Sequence, residues 1–89
     1  MSNFELKDTV EGMCSDDYRV RFVAEYQQVK YRYEHLKSFC NEIEAAELKG
    51  EEGPKHDCPL KVLRTQQRHM GWYLHDLELR AKLENIVLE

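Results

Sequence analysis

Apolar residues recur every seven positions along two long stretches of the chain, and this spacing predicts two long helices. In the first stretch, Phe22, Val29, Leu36 and Ile43 form one row, and Tyr26, Tyr33 and Cys40 form a second, four residues on. In the second stretch, Leu60, Gln67, Leu74, Ala81 and Leu88 form one row, and Leu63, Met70, Leu77 and Glu84 the other. Side chains repeated at heptad spacing stay on one helix face, so each pair of rows makes a narrow seam of the coiled-coil kind. No Gly or Pro interrupts residues 17–48, and a helix of that length spans roughly 48 Å.

Punctuation along the chain sets the boundaries. Ser15, Asp16 and Asp17 form a capping cluster for a helix over about 17–48. Lys49–Asp57 is the one clear loop, with Gly50, Gly53 and Pro54. Asp57 or Cys58 then caps a helix over about 58–87, with Pro59 in its first turn, where a missing N–H costs little. Gly71 interrupts that helix at a cost of about 1 kcal/mol relative to Ala, and lets another helix or a ligand come close. A short helix over about 4–12 precedes both, capped by Ser2 or Asn3 and ended by Gly12, with Phe4, Val10 and Met13 as its apolar contacts.

These elements predict a single all-α domain over 1–89, an antiparallel hairpin of two long helices with a short N-terminal helix. Charge agrees with the antiparallel pairing. Residues 17–37 carry net +2, 38–53 carry −4, 54–75 carry +3 and 76–89 carry −2. Folding at the loop sets −4 against +3 and +2 against −2, and wrong registers juxtapose like charges. A lone hairpin leaves one side of its seams open, and Tyr31, Phe39, Trp72 and Tyr73 fall off the principal rows. The expectation is a homo-oligomer, a dimer or higher, whose seam is Phe22, Tyr26, Val29, Tyr33, Leu36, Leu63, Met70, Leu74 and Leu77. The simplest form is a dimeric four-helix bundle.

Composition narrows the function. At 89 residues the chain has room for one domain, and it buries only roughly 60–65% of the surface its unfolded form exposes. A protein kinase or a dinucleotide-binding enzyme does not fit in that length. The net charge of −4 argues against a general nucleic-acid binder. Cys14, Cys40 and Cys58, odd in number and unclustered, read as reduced thiols. The N-terminal stretch lacks the charged and apolar regions of a signal peptide, and no apolar run approaches bilayer-spanning length. The expectation is a cytoplasmic protein without membrane contact.

Catalytic chemistry finds little support. His69 and His75 are six residues apart, on opposite faces, and His56 pairs only loosely with Cys58, so no metal site is expected. Cys40 sits in the seam as a small apolar residue. There is no Gly-rich phosphate loop and no nucleophile elbow. The chain is read as non-enzymatic and free of cofactors. Basic and aromatic residues do alternate in two places, Tyr18, Arg19 and Arg21, and Arg64, Arg68, His69, Trp72 and Tyr73. Rings that stack on a base and guanidinium forks that hold phosphate oxygens are what a nucleotide ligand needs, and these eight residues are the candidate ligand set.

Two blocks of the chain resemble a known group. The first is Asp17-Tyr18-Arg19, Arg21-Phe22, Ala24-Glu25-Tyr26, Arg32-Tyr33-Glu34 and Leu36. The second is Cys58-Pro59, Leu63, Gln66 or Gln67, Met70-Gly71, Tyr73-Leu74, Leu77-Glu78, Arg80-Ala81 and Glu84-Asn85-Ile86. Together they look like small helical accessory proteins of crAss-like phages and of phages and prophages of Firmicutes. The resemblance implies a phage accessory protein and brings no catalytic residues with it.

Small non-catalytic phage proteins often work by binding, and two such mechanisms compete, with a purely structural or regulatory phage role as a third reading. In the first, an oligomeric sponge sequesters a nucleotide immune signal, a cyclic nucleotide or an ADP-ribose-type molecule, as a counter-defence protein. Its outline is similar to helical anti-CBASS sponges, an analogy at the level of fold. In the second, the chain is an anti-CRISPR-like inhibitor of a bacterial defence protein, and the acidic patch of Glu42, Glu44, Glu47, Glu51 and Glu52 fills a basic channel. The first is the favoured expectation.

Overall fold

The structure, a computed structural model, describes residues 4–88. It is all-helical. A 3₁₀ turn, Leu6–Thr9, runs into a single helical turn, α1 (Val10–Met13), and two long helices follow, α2 (Tyr18–Lys49) and α3 (Leu60–Glu84). The molecule is a rod 49 Å long and about half as wide. Among the described residues, no helix is long and apolar enough to cross a membrane.

Local chemistry explains the ends of each helix. The Asp17 carboxylate accepts the Arg19 backbone N–H at 2.8 Å, satisfying one of the donors a helix start leaves open. Gly50 ends α2 at φ 72°, a left-handed conformation that glycine adopts without strain. Asn85 does the same for α3 at φ 56°, and the next amide, Ile86 N–H, returns to the Ala81 carbonyl at 2.8 Å. α3 therefore stops at Glu84, three residues before its expected end. Its N-cap is Pro59 itself, without a side-chain cap, in place of Asp57 or Cys58.

α2 and α3 pack antiparallel. Tyr18 donates to Glu84 at 2.8 Å, Tyr26 to Glu78 at 2.9 Å, and Tyr73 to Glu25, while Arg64 reaches Glu44 at 2.7 Å. The core between them is Phe22, Tyr26 and Val29 from α2, Leu74, Leu77 and Ala81 from α3, and Ile86 beyond it, edged by Val23, Tyr33 and Leu88. Cys40 and Ile43 are buried closer to the loop, where the loop's Gly53 folds back so tightly that a Cβ there would lie 2.8 Å from the Ala46 Cβ. Five residues expected in the oligomer seam, Phe22, Tyr26, Val29, Leu74 and Leu77, are therefore buried within one chain. The two seams face each other inside the hairpin, and their burial requires no second copy. Tyr33, Leu36, Leu63 and Met70 are half-buried.

The N-terminal segment lies along α2. The Glu5 N–H donates to the Asp8 carboxylate at 2.8 Å, and buried Thr9 returns its hydroxyl to the Leu6 carbonyl at 2.7 Å. Gly12 does not stop this helix; α1 continues to Met13. Its role is close approach, because a Cβ on Gly12 would fall 2.8 Å from the Ala24 Cβ. Val10 and Met13, expected to be apolar contacts, are exposed. The Phe4 ring meets Tyr31 at 5.9 Å, and Tyr31 stacks on His35 at 4.1 Å. The expected caps Ser2 and Asn3 lie outside the described residues.

The tyrosine–carboxylate pairs carry a pH dependence. Burial, and then the hydrogen bond to Glu78, push the Tyr26 phenol from 10.0 up to about 12. A tyrosine that ionises later in the folded chain than in the unfolded one contributes stability in full below pH 10, and that contribution is lost as pH rises through about 12. Tyr26→Phe is expected to flatten the alkaline fall in melting temperature across this window, measured by circular dichroism. An identical slope for both proteins would contradict the assignment.

Candidate ligand-binding cleft

The eight basic and aromatic residues singled out from the sequence separate in the fold. Tyr18, Arg19 and Arg21 sit at the open end of the hairpin and are occupied with holding it. Arg19 donates to the Glu84 and Asn85 carbonyls at 2.9 and 3.0 Å. Arg21 donates to the Ser15 carbonyl at 2.8 Å. Tyr18 accepts from Arg80 at 2.7 Å while donating to Glu84, and that bond to a carboxylate raises its pKa.

Arg64, Arg68 and Trp72 instead come together. Positions four apart on α3 stack along one face, and here they line a cleft of about 400 Å³ with Gln67, Gly71 and Tyr33 of α2. That volume lies within the ordinary range for small-molecule sites. Gly71 forms the floor. A Cβ there would lie 3.3 Å from the Tyr33 ring, so glycine leaves the space that any other residue would narrow. Tyr33 was expected in the seam and Gln67 in a core row; Tyr33, opposite the glycine, and Gln67, one turn before it on α3, both become cleft lining.

The two guanidiniums differ in freedom. Arg64 is fixed by Gln67 at 2.7 Å, Asn41 at 2.9 Å and Glu44 at 2.7 Å. These bonds aim its fork and leave N–H donors to spare. Arg68 makes no hydrogen bond or ion pair among the described residues. Trp72 is 61% exposed, its indole 5.7 Å from the His69 ring. No carboxylate lines this cleft. Its inventory is two cations, an exposed indole, a phenol ring and an amide, which suits an anion attached to a flat ring.

Tyr73 is outside the cleft. It donates to Glu25, and this bond, followed by burial, holds its phenol up at about 12. His69 borders the indole without lining the cleft.

The neighbouring hollows fit an anion less well. One of about 210 Å³, on the other side of Tyr33 and Gly71, carries the carboxylates of Glu34 and Glu78. Another, of about 380 Å³ near the open end, is walled by Val20, Val23, Ala24, Ile86 and Val87, and its one guanidinium, Arg19, is already bound to carbonyls. Among the described residues, no cluster of His, Cys, Asp and Glu is placed to hold a metal ion. The three cysteines are unbridged.

No curated protein and no solved structure matches the chain. The profile of one family, Sequestin, matches residues 16–83, which takes in both long helices almost entirely, and the chain belongs to the Sequestin family.

Proposed function

We propose that the protein is a non-catalytic sponge, a homo-oligomer that captures a nucleotide immune signal and holds it intact, as a phage counter-defence protein. The signal is of the cyclic oligonucleotide or ADP-ribose type. Sequestin-family membership fits a sequestering, binding role. The observation that carries the nucleotide reading is the cleft over Gly71, where Arg64 and unpaired Arg68 face an exposed indole with no carboxylate on the lining. Guanidinium forks take phosphate oxygens, and the indole takes a base face. On this reading the cleft binds without chemistry, and the ligand leaves as it came.

A thermal-shift screen of cyclic oligonucleotides and ADP-ribose derivatives tests this. The expected result is a raised melting temperature with one class, and recovery of that compound unaltered after heat denaturation. Arg68→Ala removes a charged hydrogen bond worth about 1.5–3 kcal/mol, roughly a 10- to 150-fold loss of affinity. Trp72→Ala removes a stacking contact of about 1–3 kcal/mol. Both side chains are exposed in the single chain, so neither change should lower the melting temperature of the ligand-free protein at a concentration where it is monomeric. Unaltered affinity in both variants would reject the cleft. Copurification with a defence effector nuclease, weakened by salt, would point instead to the acidic segment around Glu42, Glu47, Glu51 and Glu52.

A further inference from the structure

The face of α3 turned away from the core carries a second heptad pattern. Val62, His69, Asp76 and Leu83 form one row, and Thr65, Trp72 and Leu79 form the other. They follow the core rows by two residues, which is about 200° around a helix, so this stripe lies opposite the seam that α2 covers. No described residue covers it. Val62 is 53% exposed, Leu79 51% and Leu83 74%, with Trp72 between them. Large apolar side chains at coiled-coil spacing on an open helix face are a helix-docking surface.

We infer that this stripe is the interface between two copies of the chain, with their α3 helices antiparallel and a two-fold axis passing beside Trp72. This rests on the reading of the protein as an oligomer, and not on the identity of its ligand. The pattern fits itself under that symmetry. A residue a given number of positions after the point midway between Trp72 and Tyr73 meets one the same number before it. Val62 then meets Leu83 of the second copy, and the two Trp72 rings meet each other. Asp76, the stripe's one carboxylate, meets His69 of the second copy, with Arg68 beside it. A parallel pairing sets Asp76 against Asp76 and His69 against His69. The polar positions therefore select both the partner, a second copy, and its direction. The arrangement places the mouths of two clefts on either side of one Trp72 pair.

Sedimentation and light scattering on the full chain at tens of micromolar test the inference. The wild type is expected at twice the chain mass. Leu79→Lys, at a position outside the cleft lining, is expected at one chain mass with an unchanged helical spectrum. Asp76→Lys is expected to lose the dimer too, and His69→Asp added to Asp76→Lys to restore it. A wild type of single mass overturns the interface, including one that takes up an acidic amphipathic helix or an anionic vesicle on this face. So does a dimer that survives Leu79→Lys. Ligand shifts on the same samples keep the two readings apart. A shift retained in monomeric Leu79→Lys supports the cleft whatever the mass, and a wild-type dimer without any shift counts against the cleft while the interface stands.

Discussion

Leu77→Ala is expected to be the most damaging truncation in the chain, costing about 2–5 kcal/mol. Leu77 is 1% exposed at the centre of the cluster formed by Phe22, Tyr26, Val29, Leu74 and Ala81. Removing it loses transfer energy and leaves a cavity between two helices that have no third layer to collapse inward. Domains of this size hold only about 5–15 kcal/mol in total. The melting temperature should fall by roughly 10–30 °C, read by circular dichroism at one fixed protein concentration. Leu79→Ala, two residues on and half-exposed, should move it by little at a concentration where the chain is monomeric. If Leu77→Ala costs only a few degrees, the helices close over the gap and the core is softer than its packing implies.

Gly71→Leu is expected to separate stability from binding. A leucine at an interior helical position gains about 0.8 kcal/mol over glycine. Its Cβ alone comes within 3.3 Å of the Tyr33 ring, and the rest of the side chain enters the space that Arg64, Arg68 and Trp72 surround. The free protein should melt at or slightly below the wild-type temperature, because Tyr33 must shift to admit the new side chain. The ligand-induced shift should vanish. Gly71→Ala, which asks Tyr33 to give by a few tenths of an ångström, should weaken binding less. A full ligand shift in Gly71→Leu would mean that the ligand sits elsewhere on the protein.

The helices were readable because a heptad repeat leaves few alternatives. The charge blocks imply the antiparallel pairing, but Phe22, Tyr26, Val29, Leu74 and Leu77, expected in an oligomer seam, close on one another within the hairpin. The ends were harder. Gly12 resembles a stop signal, yet it serves close packing on Ala24, a contact across 12 residues that no local rule sees. The cleft was legible in part. Arg64, Arg68 and Trp72 declare themselves by four-residue spacing on one helix. Tyr33 and Gly71 belong to it only because α2 and α3 meet there in one register. The first basic–aromatic cluster misled for the same reason. Tyr18 and Arg19 have the composition of a binding site, but their partners, Glu84 and the last carbonyls of α3, lie about 65 residues away in sequence.

The fixed ends of the hairpin bear on how it opens. Helical hairpins ordinarily fray from their free ends, and each frayed turn is a low-energy excursion from the native state. Here Arg19 covers the terminal carbonyls of α3, Arg80 and Tyr18 close around Glu84, and Arg64 ties α3 to α2 near the loop. With both extremities fastened, each end must break several exposed bonds before it opens, which adds a modest cost to fraying. The same fastenings, Arg64 above all, hold the distance between the cleft's two walls.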